Sequence, residues 1–151
     1  MALKIAILED NLERQQAMKA WLNDRLYMYD HVFFDESAPM ITWLQTFLPE
    51  TLILSLDHDL ELKPTGDGRW LDPGTGREVA DFLALHEAHC PVIVHSTNAP
   101  AADGMDVALR ARGWHVELVK PYGDLAWVDE AWWPAIKQNL RLVSTERHLA
   151  G

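Results

Sequence analysis

The apolar run Leu52 to Leu56 breaks off into Asp57, His58 and Asp59 before Leu60, reading LILSLDHDL. A strand of that composition is buried on both faces, and its carboxyl end is where polar groups can meet a ligand. Aspartates form strands poorly and are costly to bury without partners. Two of them at such a mouth point to acid–base chemistry or to a bound cation. Three other runs end in the same way. Lys4–Leu8 (KIAIL) leads into Glu9 and Asp10, Pro91–Val94 (PVIV) into His95, Ser96, Thr97 and Asn98, and Trp114–Val119 into Lys120 and Pro121.

Carboxylates crowded together repel one another unless a cation joins them. Oxygen ligands favour a hard ion such as Mg²⁺ (or Mn²⁺), which keeps several waters and accepts phosphate oxygens. Glu9, Asp10, Asp57 and Asp59 are therefore the candidate metal ligands, with Asp59 either on the ion or orienting a group that is. Lys120 offers a mobile positive charge suited to a phosphoryl group, and Ser96, Thr97 and Asn98 offer polar contacts to it. His58 and His95 are each suited to general acid or base work near neutral pH, or to ligating a softer metal. His31, His86, His89, His115 and His148 lack such company and are expected at the surface or in the core.

These residues need a scaffold that gathers strand ends. The first run is followed by a helix that Asn11 can cap, with Ala17, Met18, Trp21 and Leu22 at helical spacing. A weaker strand spans His31–Phe34. Asp35 or Ser37 can cap the next helix, which carries Pro39 in its first turn and Ile41, Leu44 and Leu48 on its inner face. The central strand is read as Leu52–Asp57. Residues 60–75 are too long for an ordinary connection and are expected to form a lid or binding loop. A helix from Arg77 to His86 places Val79, Phe82 and Leu83 inward, and another from Ala102 to Arg112 is stopped by Gly113. Asp129 is expected to cap the last helix, in which Pro134 falls in the first turn and Trp133, Ile136 and Leu140 form the apolar stripe. Five strands alternating with five helices predict a single α/β domain over 1–151. Its parallel sheet is doubly wound in the order 2-1-3-4-5, which puts the ends of the first, third, fourth and fifth strands on one rim.

Hydrophobic residues make up 48% of the chain, enough for a sizeable core. The formal charge of −10 argues against bulk nucleic-acid or anionic-membrane binding, while leaving room for a local phosphate site. The single cysteine, Cys90, excludes an internal disulfide and is expected as a small buried residue. No run is long enough to span a bilayer and the first residues lack a signal-peptide layout, so a cytoplasmic location is expected. The tryptophans fall mostly on helix faces and read as core.

ILEDN at 7–11, the strand-terminal Asp57, PVIVHS at 91–96 and LVKP at 118–121 resemble a response-regulator receiver domain over nearly the whole chain. The resemblance implies a flavodoxin-like receiver fold, with Mg²⁺ held by Glu9, Asp10 and Asp57. It also implies Asp57 as phospho-acceptor, Ser96 against the phosphoryl group and Lys120 paired with it. SLDHDL, TG at 75–76 and HSTN at 95–98 depart from ordinary receivers and resemble the receiver-like family described as cyclic-phosphate-processing. Glu117 departs as well, standing three positions before the lysine where receivers carry an aromatic switch residue. Two functional expectations follow. In one, the chain is a divalent-metal-dependent phosphohydrolase acting on a cyclic phosphate or related phosphoester, such as a nucleotide. Asp57 or an activated water would attack phosphorus, Lys120 would stabilise the developing charge, and His58 or His95 would protonate the leaving alkoxide. In the other, it is a stand-alone receiver phosphorylated on Asp57 by a histidine kinase in a phosphorelay. Glu117 and HSTN favour the first, and the complete receiver set favours the second.

Overall fold

The structure, a computed structural model, describes residues 2–150 and the side chains of residues 2–143. His148 lies outside the described side chains. Strands β1 (Lys4–Leu8), β2 (Asp30–Phe34), β3 (Thr51–Leu56), β6 (Val92–His95) and β7 (Val116–Val119) form one parallel sheet in the order β2-β1-β3-β6-β7. This is the doubly wound arrangement expected from the alternation of strands and helices. Every residue of β3 is buried, as a central parallel strand must be.

The pleat sorts alternate side chains to opposite faces. Ile5 and Ile7 of β1 pack with Met18 and Leu22 of α1 (Leu12–Arg25) and with Ile136 of α5 (Trp133–Ala150). Ala6 and Leu8 face the other way. They join Met40 and Leu44 of α2 (Ser37–Phe47), Val79 and Leu83 of α3 (Gly76–Ala84), and Met105 and Leu109 of α4 (Ala99–Arg110). Both faces are covered.

Register gathers the site. Leu8 pairs with Leu56, Leu56 with Val94, and His95 with Val119. Glu9, Asp57, His95 and Lys120 therefore leave the sheet at the same edge.

Several local expectations are corrected. Neither Asp35 nor Ser37 caps α2: Glu36 holds the cap position without a side-chain bond, and the Ser37 hydroxyl donates to the Pro73 carbonyl (3.2 Å). Helix α4 begins at Ala99, before the expected Ala102, because Asn98 caps it by accepting from Ala101 N (3.2 Å) and Pro100 fits the first turn. Asp129 does not cap the last helix. It sits inside a π-helical turn, Val128–Trp132, where it accepts from Trp21 Nε1 (2.7 Å). The segment 60–75 is partly regular, with an antiparallel hairpin of β4 (Lys63–Pro64) and β5 (Trp70–Leu71). Lys63 ties that hairpin to Asp35 (2.7 Å) and Glu36 (3.4 Å).

Trp127 and Trp132 are fully buried and Trp114 and Trp133 nearly so, whereas Trp70 stands out on the hairpin at 65% exposure. Cys90 is buried, and burial pushes its thiol pKa up, which leaves it inert. No helix among the described residues is long and apolar enough to cross a membrane.

Candidate active site

Glu9 leaves β1 fully buried, and its carboxylate accepts from Asn11 N (3.0 Å), the residue that caps α1. Its Oε1 lies 3.2 Å from His95 Nε2 and 3.7 Å from Arg14 Nη1. Burial alone would raise its pKa. His95, the Asn11 amide and Arg14 outweigh that and hold Glu9 below the usual carboxylate range.

His95 is itself fully buried and stacks at 5.9 Å on Trp127. Its Nδ1 is 2.7 Å from Ser55 Oγ, which accepts from Trp132 Nε1 at 2.9 Å. An indole N–H can only donate, so the Ser55 proton is free to go to Nδ1, leaving His95 Nε2–H facing Glu9. Ser55 has two lone pairs and can instead accept from both rings, which would free the Nε2 lone pair for a cation.

Asp57 is 5% exposed. Its Oδ1 accepts from the His58 amide (2.7 Å). Burial drives its pKa up; His95 opposes this and Glu9 adds to it, and the result is about 6. Asp10 is half-buried and accepts from Glu61 N (2.6 Å); burial and the charge of Glu9 keep its pKa raised.

Glu9, Asp57 and His95 bring one ligand atom each to within 4.8 Å of one another. Glu9 Oε1 and His95 Nε2 are close but too poorly aligned to satisfy each other as a hydrogen bond. A divalent ion fits that donor set and its two under-satisfied atoms. Of the four carboxylates expected to hold metal, the structure brings Glu9 and Asp57 together and adds His95. Asp10 lies at the edge of the cluster, on Glu61. Asp59 is exposed and otherwise engaged: His58 Nδ1 is 2.6 Å from its Oδ1, and Asn98 Nδ2 donates to both its oxygens at 3.3 Å. The His58 bond holds Asp59 below the usual carboxylate range.

The cleft over Asp57, about 260 Å³, is lined by Asp10, Asn11, Arg14, Asp57, Asp59, Leu60, Glu61 and Thr97. His58 is not in that lining, although its neighbours Asp57 and Asp59 are, and neither is Lys120. Lys120 borders an adjacent cleft of about 200 Å³ with Ser96, Ala99, Asp103 and Leu118. Ser96 is buried, and its Oγ accepts from Asn98 N (3.1 Å). Glu117 accepts from Asn139 of α5 (3.3 Å).

Sequence reasoning missed Ser55 and Arg14. Ser55 was visible as the one polar residue inside LILSL. Arg14 was visible as a cation in the first turn of a helix, where the dipole disfavours it.

The sequence matches the family described as cyclic-phosphate processing receiver domain over residues 18–111. That span holds Asp57, His58, Asp59, His95, Ser96, Thr97 and Asn98, and leaves out Glu9, Asp10, Arg14 and Lys120. No curated protein matches. Among solved structures, the chain is similar to the signal receiver domain of a Luxo repressor protein from Vibrio parahaemolyticus, with TM-score 0.68, 15% identity, and coverage of 100% of this chain and 99% of that one. It is similar to a response regulator receiver domain from Rhodospirillum rubrum, with TM-score 0.61, 16% identity, and coverage of 95% and 94%. The Mn²⁺-bound form of response regulator Rcp1 is a third, with TM-score 0.58, 17% identity, and coverage of 93% and 88%. These likenesses show the receiver fold, and the family match assigns the sequence: the chain belongs to the cyclic-phosphate processing receiver domains.

Proposed function

We propose that the chain is a divalent-metal-dependent hydrolase of a cyclic phosphate, working in the Asp57 cleft. One observation carries the reading: the row Asn98–Asp59–His58 beside Asp57. Asn98 steadies the Asp59 carboxylate, and Asp59 fixes the imidazole by its Nδ1. That is the arrangement of a general acid or base oriented by a third group. A bare phospho-acceptor has no use for it.

Glu9, Asp57 and His95 would hold the ion, with Asp10 beside them. When bound, such an ion neutralises phosphate oxygens and lowers the pKa of a coordinated water. The mixed nitrogen and oxygen set shifts the preference from Mg²⁺ toward Mn²⁺, the ion named for Rcp1. In the reaction, a water oxygen bonds to phosphorus while one ester P–O bond breaks. The departing alkoxide takes the proton from His58 Nε2, and Asp59 stabilises the imidazolium that supplies it. His95 is assigned to the buried cluster and not to proton delivery, because both its ring nitrogens face protein groups. Thr97 lines this cleft, while Ser96 and Lys120 line the adjacent one, from which Lys120 offers charge.

The test is turnover of 2′,3′- and 3′,5′-cyclic nucleotides with Mg²⁺ or Mn²⁺. His58→Ala should lower it by roughly a hundredfold or more while labelling of Asp57 by acetyl phosphate persists. Equal turnover by His58→Ala sinks the assignment.

A second reading has its own support. Asp57 at the end of β3, beside Glu9, on a receiver fold, suits phosphorylation by a histidine kinase in a phosphorelay. Ready labelling of Asp57 without cyclic-phosphate turnover would establish that reading instead.

A further inference from the structure

Arg14 is the one cation lining the Asp57 cleft, which also presents Asp10, Asp57, Asp59 and Glu61. Its side chain is only 25% exposed. The guanidinium lies over the buried Trp127 ring at 5.3 Å and 3.7 Å from Glu9 Oε1, and among the described residues it donates no hydrogen bond. A half-buried guanidinium with its donors unspent is costly unless an acceptor comes to it. Its place in the first turn of α1 opposes the helix dipole, so helix stability does not explain it.

We propose that Arg14 is the anion-holding residue of this cleft, binding non-bridging phosphoryl oxygens of the ligand. The inference rests on the reading of the cleft as a phosphate site and adds a residue to it. Trp127 orients the fork, and the planar guanidinium matches two oxygens of one phosphoryl group. Four carboxylates in the lining repel such an anion, so the ligand is held only when a divalent ion occupies the Glu9–Asp57–His95 set. Arg14 and that ion share Glu9 Oε1. Arg14 therefore weakens the ion slightly while strengthening the anion, and removing it moves the two affinities in opposite directions.

The experiment titrates inorganic phosphate into the Mg²⁺-loaded protein by calorimetry, and separately titrates Mg²⁺ into the metal-free protein, for wild type, Arg14→Gln and Arg14→Lys. Arg14→Gln should weaken phosphate binding by roughly tenfold to a hundredfold, the worth of charge-assisted hydrogen bonds, with Mg²⁺ binding kept or tightened. Arg14→Lys, which retains the charge and the packing stem, should recover part of the loss. Unchanged phosphate affinity in Arg14→Gln overturns the proposal and leaves the phosphate site standing. Joint loss of Mg²⁺ and phosphate also overturns it, since Arg14 would then act only by propping Glu9. Failure of the wild type to bind phosphate with Mg²⁺ present removes both this role and the reading of the cleft.

Discussion

Replacing Asp57 by Asn should stabilise the metal-free protein at neutral pH, by an amount that depends on pH in a defined way. Asp57 is 5% exposed, beside the buried carboxylate of Glu9, and burial first and Glu9 next push its pKa from 3.8 to about 6. An acid whose folded-state pKa lies above its unfolded value binds protons more tightly when folded. It costs nothing below the unfolded value, costs progressively more as pH rises between the two, and carries its full cost above the folded value. The window is thus from just under pH 4 to just above pH 6. A shift of about two units at about 1.4 kcal/mol each gives a cost on the order of 3 kcal/mol at pH 7. Asn is neutral throughout, and its side-chain oxygen can still accept the His58 amide.

The assay is urea denaturation of wild type and Asp57→Asn at pH 4, 5, 6 and 7, read as the difference between the two proteins so that other carboxylates cancel. The Asn protein should gain over this range and be ahead by roughly 1–3 kcal/mol at pH 7. Saturating Mg²⁺ or Mn²⁺ should close most or all of that gap. Wild type gains about 2.7 kcal/mol at a hundred times the dissociation constant, and the variant gains little. A difference that does not vary with pH, or an Asn protein less stable at pH 7 without metal, would refute the electrostatic account. Equal metal stabilisation of both proteins would refute Asp57 as a ligand.

Two further outcomes follow from contacts behind the site. Ser55→Ala removes the hydroxyl between Trp132 Nε1 and His95 Nδ1, leaving a buried donor and a ring nitrogen unpaired; it should cost roughly 1–3 kcal/mol in denaturation and loosen Mn²⁺ binding, while retained stability would show the network to be dispensable. Gly76→Ala would put a Cβ 1.9 Å from the Asp57 carbonyl oxygen; forcing the backbones apart should cost roughly 1–3 kcal/mol and lower cyclic-phosphate turnover, and normal behaviour in both assays would show that α3 does not need this close approach.

The sheet order was legible because buried runs and helical stripes alternate strictly, and a parallel crossover leaves few topologies. The gathering of strand ends followed from that order. The depth of each side chain did not. Whether His95 turns toward Glu9 or toward solvent depends on the Val94–Leu56 register and on Trp127 arriving from the far end of the chain. Periodicity carries no signal for either. Asp59 reads like a metal ligand in DHD, yet the chain bends after Leu56 and gives it to His58 and Asn98. The start of α4 was missed because Ala99 and Pro100 look like loop, although Asn98 and a first-turn proline are a start signal. The π-helical turn at Val128–Trp132 has no propensity signature.

SLDHDL, TG and HSTN lie far apart in the chain, and their side chains alone do not explain why they belong together. Their backbones do. The Gly76 amide donates to the His58 carbonyl (3.0 Å), and Thr75 forms a bridge with Asp59. A side chain at 76 would collide with Asp57, so only glycine lets the start of α3 come this close. Thr75 and Glu78 close a capping box on that helix start, and Asn98 caps α4 while its amide holds Asp59. The peptide 57–59 is thereby gripped by β3 behind it, α3 on one side and Asn98 on the other. A general acid must be held to within about 0.5 Å of its productive position, by groups that are themselves fixed. Accepting a phosphoryl group on Asp57 needs no such hold on the two residues that follow it. The anchoring of His58 and Asp59, more than the presence of a histidine, is the reason to favour hydrolysis over phosphorelay.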